Sequence, residues 1–141
     1  NFFDSFPYKS KELYFDLKGG IKTAYHLFAF LRTWNIDVSN MIAFSFNQKH
    51  LDLLEQKMPE LRRGFITDNI LSETVLKEII PHIHFICLHY SVLDEEMIDY
   101  CKKRGIFIFT YTMTNNNELN YMQRFKIDGI VTDFKLIKFE P

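Results

Sequence analysis

Asp16 and Lys18 stand two residues apart in the run Tyr14-Phe15-Asp16-Leu17-Lys18-Gly19-Gly20, an acid and a base inside an otherwise aromatic and apolar strand pattern. Side chains alternate in an extended chain, so both leave the same face. An acid and a base so placed need a reason to sit together, and an anionic ligand would find its local cation in Lys18. Polar residues also end the later apolar runs: Ser45 and Asn47, Thr67 and Asp68, His89, Thr112 and Thr114, and Thr132 and Asp133. The ordinary reading of such positions is that a strand end meets water and that Asp, Ser or Thr caps the next helix. That reading is preferred for Ser45, Asp68 and Asp133. It does not serve for Asp16 and Lys18, which interrupt an aromatic strand rather than follow it.

These residues must be positioned by a regular alternation of elements. Apolar runs predict strands over 13–17, 41–46, about 63–66, 83–88, 106–113 and 129–132. Helical spacing predicts helices over 21–34, 48–58, from about 72 to 80, 94–104 and 118–125. In the first helix Ala24, Leu27, Phe28, Leu31 and Trp34 recur at intervals of three and four residues. Pro59 and Pro81 stop two of the others. Asp94 to Arg104 has acids early, bases late and Gly105 in the terminating position, as the helix dipole and a left-handed stop require. Asn115-Asn116-Asn117 supplies a cap region. Strands apolar on both faces that alternate with helices specify an α/β fold with a mainly parallel sheet. An open sheet is one arrangement. The other is six-eighths of a barrel, since a complete (β/α)8 barrel takes about 250 residues. In both, polar strand ends gather on one rim, where α/β proteins bind ligands.

Length and composition bound the rest. The 141 residues are enough for one domain, and 47% hydrophobic with 25% charged residues is globular usage. No apolar run approaches the roughly 20 residues of a membrane helix, so no transmembrane segment is expected. A net charge of -1 argues against broad electrostatic binding to nucleic acid, and an anionic ligand would need a local cation such as Lys18. Cys87 and Cys101 have no metal-ligand spacing and read as buried small residues. His82 and His84 could share a face, but two ligands without a third are usually surface or core residues. His89 reads as packing, and Phe2, Phe3 and Phe6 as packing against the fold. Asn1-Phe2-Phe3-Asp4 lacks the features of a signal peptide. The localisation is left open.

With these residues in view, the chain resembles the C-terminal two-thirds of the glycerophosphodiester phosphodiesterase family. The family's third barrel strand ends in Glu-x-Lys, matched by Asp16-Leu17-Lys18. Its fourth ends in Ser-Phe, matched by Ser45-Phe46, and a Pro-x-Leu-x-x-Gly segment follows, matched by Pro59 to Gly64. The seventh ends in Trp-Thr-Val-Asn, matched by Tyr111-Thr112-Met113-Thr114, and the eighth in Asp-Gly-Ile-x-Thr-Asp, matched by Asp128 to Asp133. The ordered set spans nearly the whole chain.

The resemblance implies a TIM-type (β/α)8 barrel with about six of its eight strands in this chain, residues 1–141 forming the C-terminal part of one domain. It implies metal-dependent hydrolysis of a small-molecule phosphodiester, giving glycerol 3-phosphate and an alcohol. Asp16 matches a metal-binding carboxylate, for Mg or Ca. Lys18 matches a catalytic lysine that contacts the substrate phosphate, and Tyr111 an aromatic that walls the glycerol side. Asp for Glu shortens the reach to the metal by one methylene. The family's His-Arg-Gly, Glu-x-Asp pair and second histidine, carried by its first two strands, have no match here. The expectation is therefore that the N-terminal part of the same barrel is supplied from outside this chain, and that the fragment alone is inactive. A phospholipase D-type enzyme acting on lysophospholipid or sphingomyelin is one alternative, because some such toxins carry a Phe-Asp-Leu-Lys stretch. A non-catalytic homologue serving as a binding or assembly module is the other.

Overall fold

The computed structural model describes residues 10–133. The order of elements is β1 (Leu13–Leu17), α1 (Lys22–Thr33), β2 (Met41–Ser45), α2 (Gln48–Lys57), β3 (Arg62–Thr67), α3 (Glu73–Ile79), β4 (Phe85–His89), α4 (Glu95–Lys102), β5 (Phe107–Met113), α5 (Asn116–Met122) and β6 (Gly129–Thr132). Short 3-10 turns cover Ile80–His82 and Tyr90–Val92. Every strand and helix read from the pattern is present, with ends displaced by a few residues. Thus β4 opens at Phe85 rather than Ile83, and α5 runs earlier than the 118–125 expected. Phe2, Phe3 and Phe6 lie outside the described residues.

The chain divides into two compact units. One holds the described residues up to Ile66 together with Pro81–His84; the other holds Thr67–Ile80 and the described residues from Phe85 onward. In the first unit β1 pairs parallel with β2, and β2 with β3. Leu13, Phe15 and Leu17 turn to one side of β1 and pack with Ala24, Leu27, Phe28 and Leu31 of α1, with Met41 and Ala43 of β2, and with Leu54 of α2. Period 2 in the strand meeting period 3.6 in the helix makes this the core. The opposite face of β1 carries Tyr14 and Asp16, set beside Ile42 and Phe44 by the register, and Tyr14 stacks on Phe44.

In the second unit β4 pairs parallel with β5, and β5 with β6. Ile86, Leu88 and Ile108 are fully buried strand residues, and Met97, Ile98, Cys101, Leu119 and Met122 are buried residues of α4 and α5. Both cysteines are buried and free, as expected.

Helix starts follow the physics of unsatisfied N–H groups. Asn47, Ser72, Asp94 and Asn115 cap α2, α3, α4 and α5 through their side chains. The capping expected of Ser45 and Asp68 is therefore corrected. Asn47 takes the first role, leaving the Ser45 hydroxyl to bond elsewhere, and Ser72 takes the second because α3 begins several residues beyond Asp68. A helix after Asp133 would fall outside the described residues. Gly105 ends α4 at φ +74°, the left-handed conformation that its place in the sequence calls for.

Candidate functional site

Asp16 and Lys18 are brought together as the alternation predicts. Lys18 Nζ lies 2.9 Å from Asp16 Oδ2, with side chains 63% and 54% exposed, so the pair is solvated yet directly bonded. Both stand on the face of the first unit opposite its helices, at the C-terminal end of β1. The Lys18 ammonium also lies 4.6 Å from the centre of the Phe46 ring, where the ring's negative face attracts it. Phe46 sits in the Ser-Phe stretch, and this contact is a role that sequence alone does not disclose.

The loop after β1 is held by side chains. Thr23 Oγ1 donates to the Lys18 carbonyl at 2.8 Å, and Ser45 Oγ donates to the Leu17 carbonyl at 3.2 Å. His50, fully buried, places Nδ1 2.8 Å from Ser45 Oγ and Nε2 2.9 Å from the Gly20 carbonyl. His50 was not singled out from the sequence. The available signal was a histidine five positions after a serine at a strand end, in the first turn of the next helix.

Nearer the start of β1, on the same face, Tyr14 Oη donates to Glu12 at 2.7 Å and Arg62 donates to the same carboxylate at 2.9 Å. The Tyr14 hydrogen bond, then Arg62, hold the Glu12 carboxyl below its ordinary value. Burial, reinforced by the bond to Glu12, pushes the Tyr14 phenol up to about 12. These three side chains form one hydrogen-bonded cluster and serve as scaffold.

Tyr111 lies in the second unit, on β5 opposite His89 of β4. The two rings meet edge to face at 5.4 Å, and Tyr90 packs on His89 at 4.5 Å. His89 also caps the turn that follows, accepting from the Ser91 N–H, so the packing role expected of it is what the structure displays. Tyr90 hydrogen-bonds Glu118, whose carboxyl is held low chiefly by the Thr114 N–H at 2.7 Å. Thr114, at the end of the matched stretch and one residue past β5, thus holds a carboxylate of α5.

Two pieces of the resemblance prove to be scaffold. Gly64 faces Phe44 across β2 and β3, and a Cβ there would overlap the Phe44 ring. Gly129 faces Phe109 across β5 and β6 with the same consequence. Asp128 takes the Ile108 N–H at 2.7 Å and Lys102 Nζ at 2.5 Å, which docks the approach to β6.

The described residues contain no group of three or more His, Cys, Asp or Glu placed to hold a metal ion. Asp16 offers one carboxylate, already paired with an ammonium, so these residues alone do not make the site that a catalytic divalent cation needs. His82 and His84 make no such site either. His82 Nδ1 pairs with Glu55 at 2.8 Å, and His84 Nδ1 accepts from the Arg63 N–H at 3.2 Å. No helix of the described residues is long and apolar enough to cross a membrane.

Parallel strands joined through helices, with charged and aromatic side chains at strand C-terminal ends, define an α/β protein of the (β/α)-barrel class. The model of the glycerophosphoryl diester phosphodiesterase family matches residues 8–136, and the chain belongs to that family. YhdW of Bacillus subtilis is 26% identical over 98 residues, 67% of this chain and 40% of that protein. A glycerophosphodiester phosphodiesterase of Caldanaerobacter subterraneus is 24% identical over 103 residues, 73% of this chain and 42% of that protein. Among solved structures, an Oleispira antarctica phosphodiesterase in complex with the product sn-glycerol-3-phosphate superposes with TM-score 0.73 at 20% identity, over 86% of this chain and 51% of that one. The chain thus carries about six of the eight strands of the TIM-type barrel. It spans less than half the length of the curated relatives it matches.

Proposed function

We propose that residues 1–141 are the C-terminal part of one glycerophosphodiester phosphodiesterase barrel. In the complete barrel, water and a glycerophosphodiester are converted to glycerol 3-phosphate and an alcohol. The observation that carries this reading is the Asp16–Lys18 pair at the end of β1, on the helix-free face, at 2.9 Å. Within a family match over residues 8–136 this is the place where Glu-x-Lys is expected.

In this reading the Lys18 ammonium contacts a non-bridging phosphate oxygen and offsets the charge that grows on it as the phosphorus is attacked. Tyr111 walls the glycerol side. Asp16 contributes one ligand to a divalent cation, Mg or Ca, whose remaining ligands come from the N-terminal part of the same barrel; when bound, such a cation polarises the phosphoryl group. The product-bound phosphodiesterase of the same fold supports this choice of substrate class. The test is a substrate panel with the full-length protein. Glycerol 3-phosphate should be released from glycerophosphocholine and lost on chelation, while residues 1–141 alone should release none. Cleavage of only lysophospholipid or sphingomyelin would move the assignment to the phospholipase D-type alternative.

One observation favours a second reading. The bond between Asp16 and Lys18 puts an ammonium where a cation would have to sit, as in a homologue that keeps the fold as a binding or assembly module without catalysis. Binding of glycerol 3-phosphate without turnover of any diester in the panel would select it.

A further inference from the structure

Around Lys18 side chains reach three carbonyls: Thr23 holds that of Lys18, His50 holds that of Gly20, and Ser45 Oγ lies 3.2 Å from that of Leu17. Gly19 between them has φ +83°, where a residue with a side chain would be strained. The loop therefore gains little order from its own conformational preferences, and these bonds fix it instead.

His50 is the most constrained of the three holders. It and Ser45 are both fully buried, and both ring nitrogens are engaged. The Gly20 carbonyl only accepts, so Nε2 carries a hydrogen in either protonation state of the ring. In the neutral ring Nδ1 then accepts the Ser45 hydroxyl, whose oxygen takes the Asn47 N–H at 3.0 Å. In the charged ring Nδ1 donates to Ser45, whose proton turns to the Leu17 carbonyl. The Gly20 link survives both arrangements. The same carbonyl takes the Thr23 N–H at 2.9 Å, so His50 ties the start of α1 to α2 directly beside the lysine.

We propose that His50 is a positioning residue for Lys18, its Nε2–H holding the Gly20 carbonyl so that the loop presents the ammonium in one place. The role rests on the reading of Lys18 as the phosphate-contacting group. It acts through the loop and touches no substrate.

Two near-isosteric variants of the full-length protein separate the two bonds. His50→Asn keeps an acceptor at the Nδ1 position for Ser45 and loses the Gly20 donor. His50→Gln restores an N–H at the Nε2 position. With glycerophosphocholine as substrate, kcat should fall by roughly ten- to a hundredfold in His50→Asn, the scale of a misplaced catalytic group. It should stay near the wild-type value in His50→Gln, with KM moving less than kcat. Amide hydrogen exchange over residues 18–23 should quicken in His50→Asn and not in His50→Gln. Equal kcat in the two variants, or a drop that merely tracks their thermal midpoints, would overturn the proposal. If the wild type hydrolyses no glycerophosphodiester, exchange still decides. Quickening confined to His50→Asn upholds the tether while the phosphodiesterase reading falls alone, and unchanged exchange removes the tether.

Discussion

The two units are built on one plan and furnished differently. Each has parallel strands in chain order, and each lays a phenylalanine of one strand over a glycine of the next, Phe44 over Gly64 in the first and Phe109 over Gly129 in the second. At the C-terminal strand ends they diverge. The first unit presents the charged pair Asp16–Lys18, and the second presents the packed rings of His89, Tyr90 and Tyr111. The shared plan is scaffold, and the strand ends are where the two units differ.

The shared plan breaks most visibly at the glycines. Gly64→Ala should destabilise the protein by about 1–3 kcal/mol, the usual cost of forcing extra atoms into a packed core, read from denaturant midpoints. Gly129→Ala should cost less, because Phe109 is only partly buried and can swing aside, whereas Phe44 is 6% exposed. Equal costs would mean that the two devices are not distinguished by burial. The divergence is sharpened by Tyr111→Ala, expected to raise KM for glycerophosphocholine roughly tenfold, about 1.4 kcal/mol of binding, with a smaller change in kcat. A selective loss of kcat would place Tyr111 in the chemistry and erase the division.

A smaller effect concerns pH. Burial first, and then the neighbouring Arg63 charge, hold His84 below its ordinary 6.5, so the unfolded chain binds more protons than the folded one over that window. Stability is then intact above about 6.5 and declines as pH falls toward the lowered folded value. His84→Asn, which keeps an acceptor for the Arg63 N–H and does not titrate there, should flatten that decline in denaturation midpoints measured from pH 7 to 5. An unaltered slope would assign the decline to other groups. The least effect is expected at Cys101, whose thiol burial pushes up to about 11. Iodoacetamide at pH 8 should label it only after denaturation, and rapid labelling of the native protein would contradict its burial.

What could be read from sequence followed from local rules. Asp16 and Lys18 announced themselves by breaking an aromatic pattern, and alternation put them on one face without knowledge of any partner strand. Gly105 and Asp94 followed from the chemistry of helix ends. The role of Gly64 was hidden because it depends on the register of β2 against β3, which sets a ring 20 positions away over its Cα. The role of His50 was hidden for the same reason, since its partner Gly20 is 30 residues distant and its spacing from Ser45 was the one local sign. Ser45 drew attention as a cap, but the cap is Asn47, and the serine hydroxyl serves the buried network instead.

The central claim is that Lys18 meets the phosphate of a glycerophosphodiester. Its most direct test is glycerol 3-phosphate release from glycerophosphocholine by the full-length protein beside its Lys18→Ala variant. The expected result is a loss of roughly a hundred- to a thousandfold in kcat, the range for removing one transition-state charge contact. A Lys18→Ala protein that hydrolyses the substrate at the wild-type rate would contradict the account.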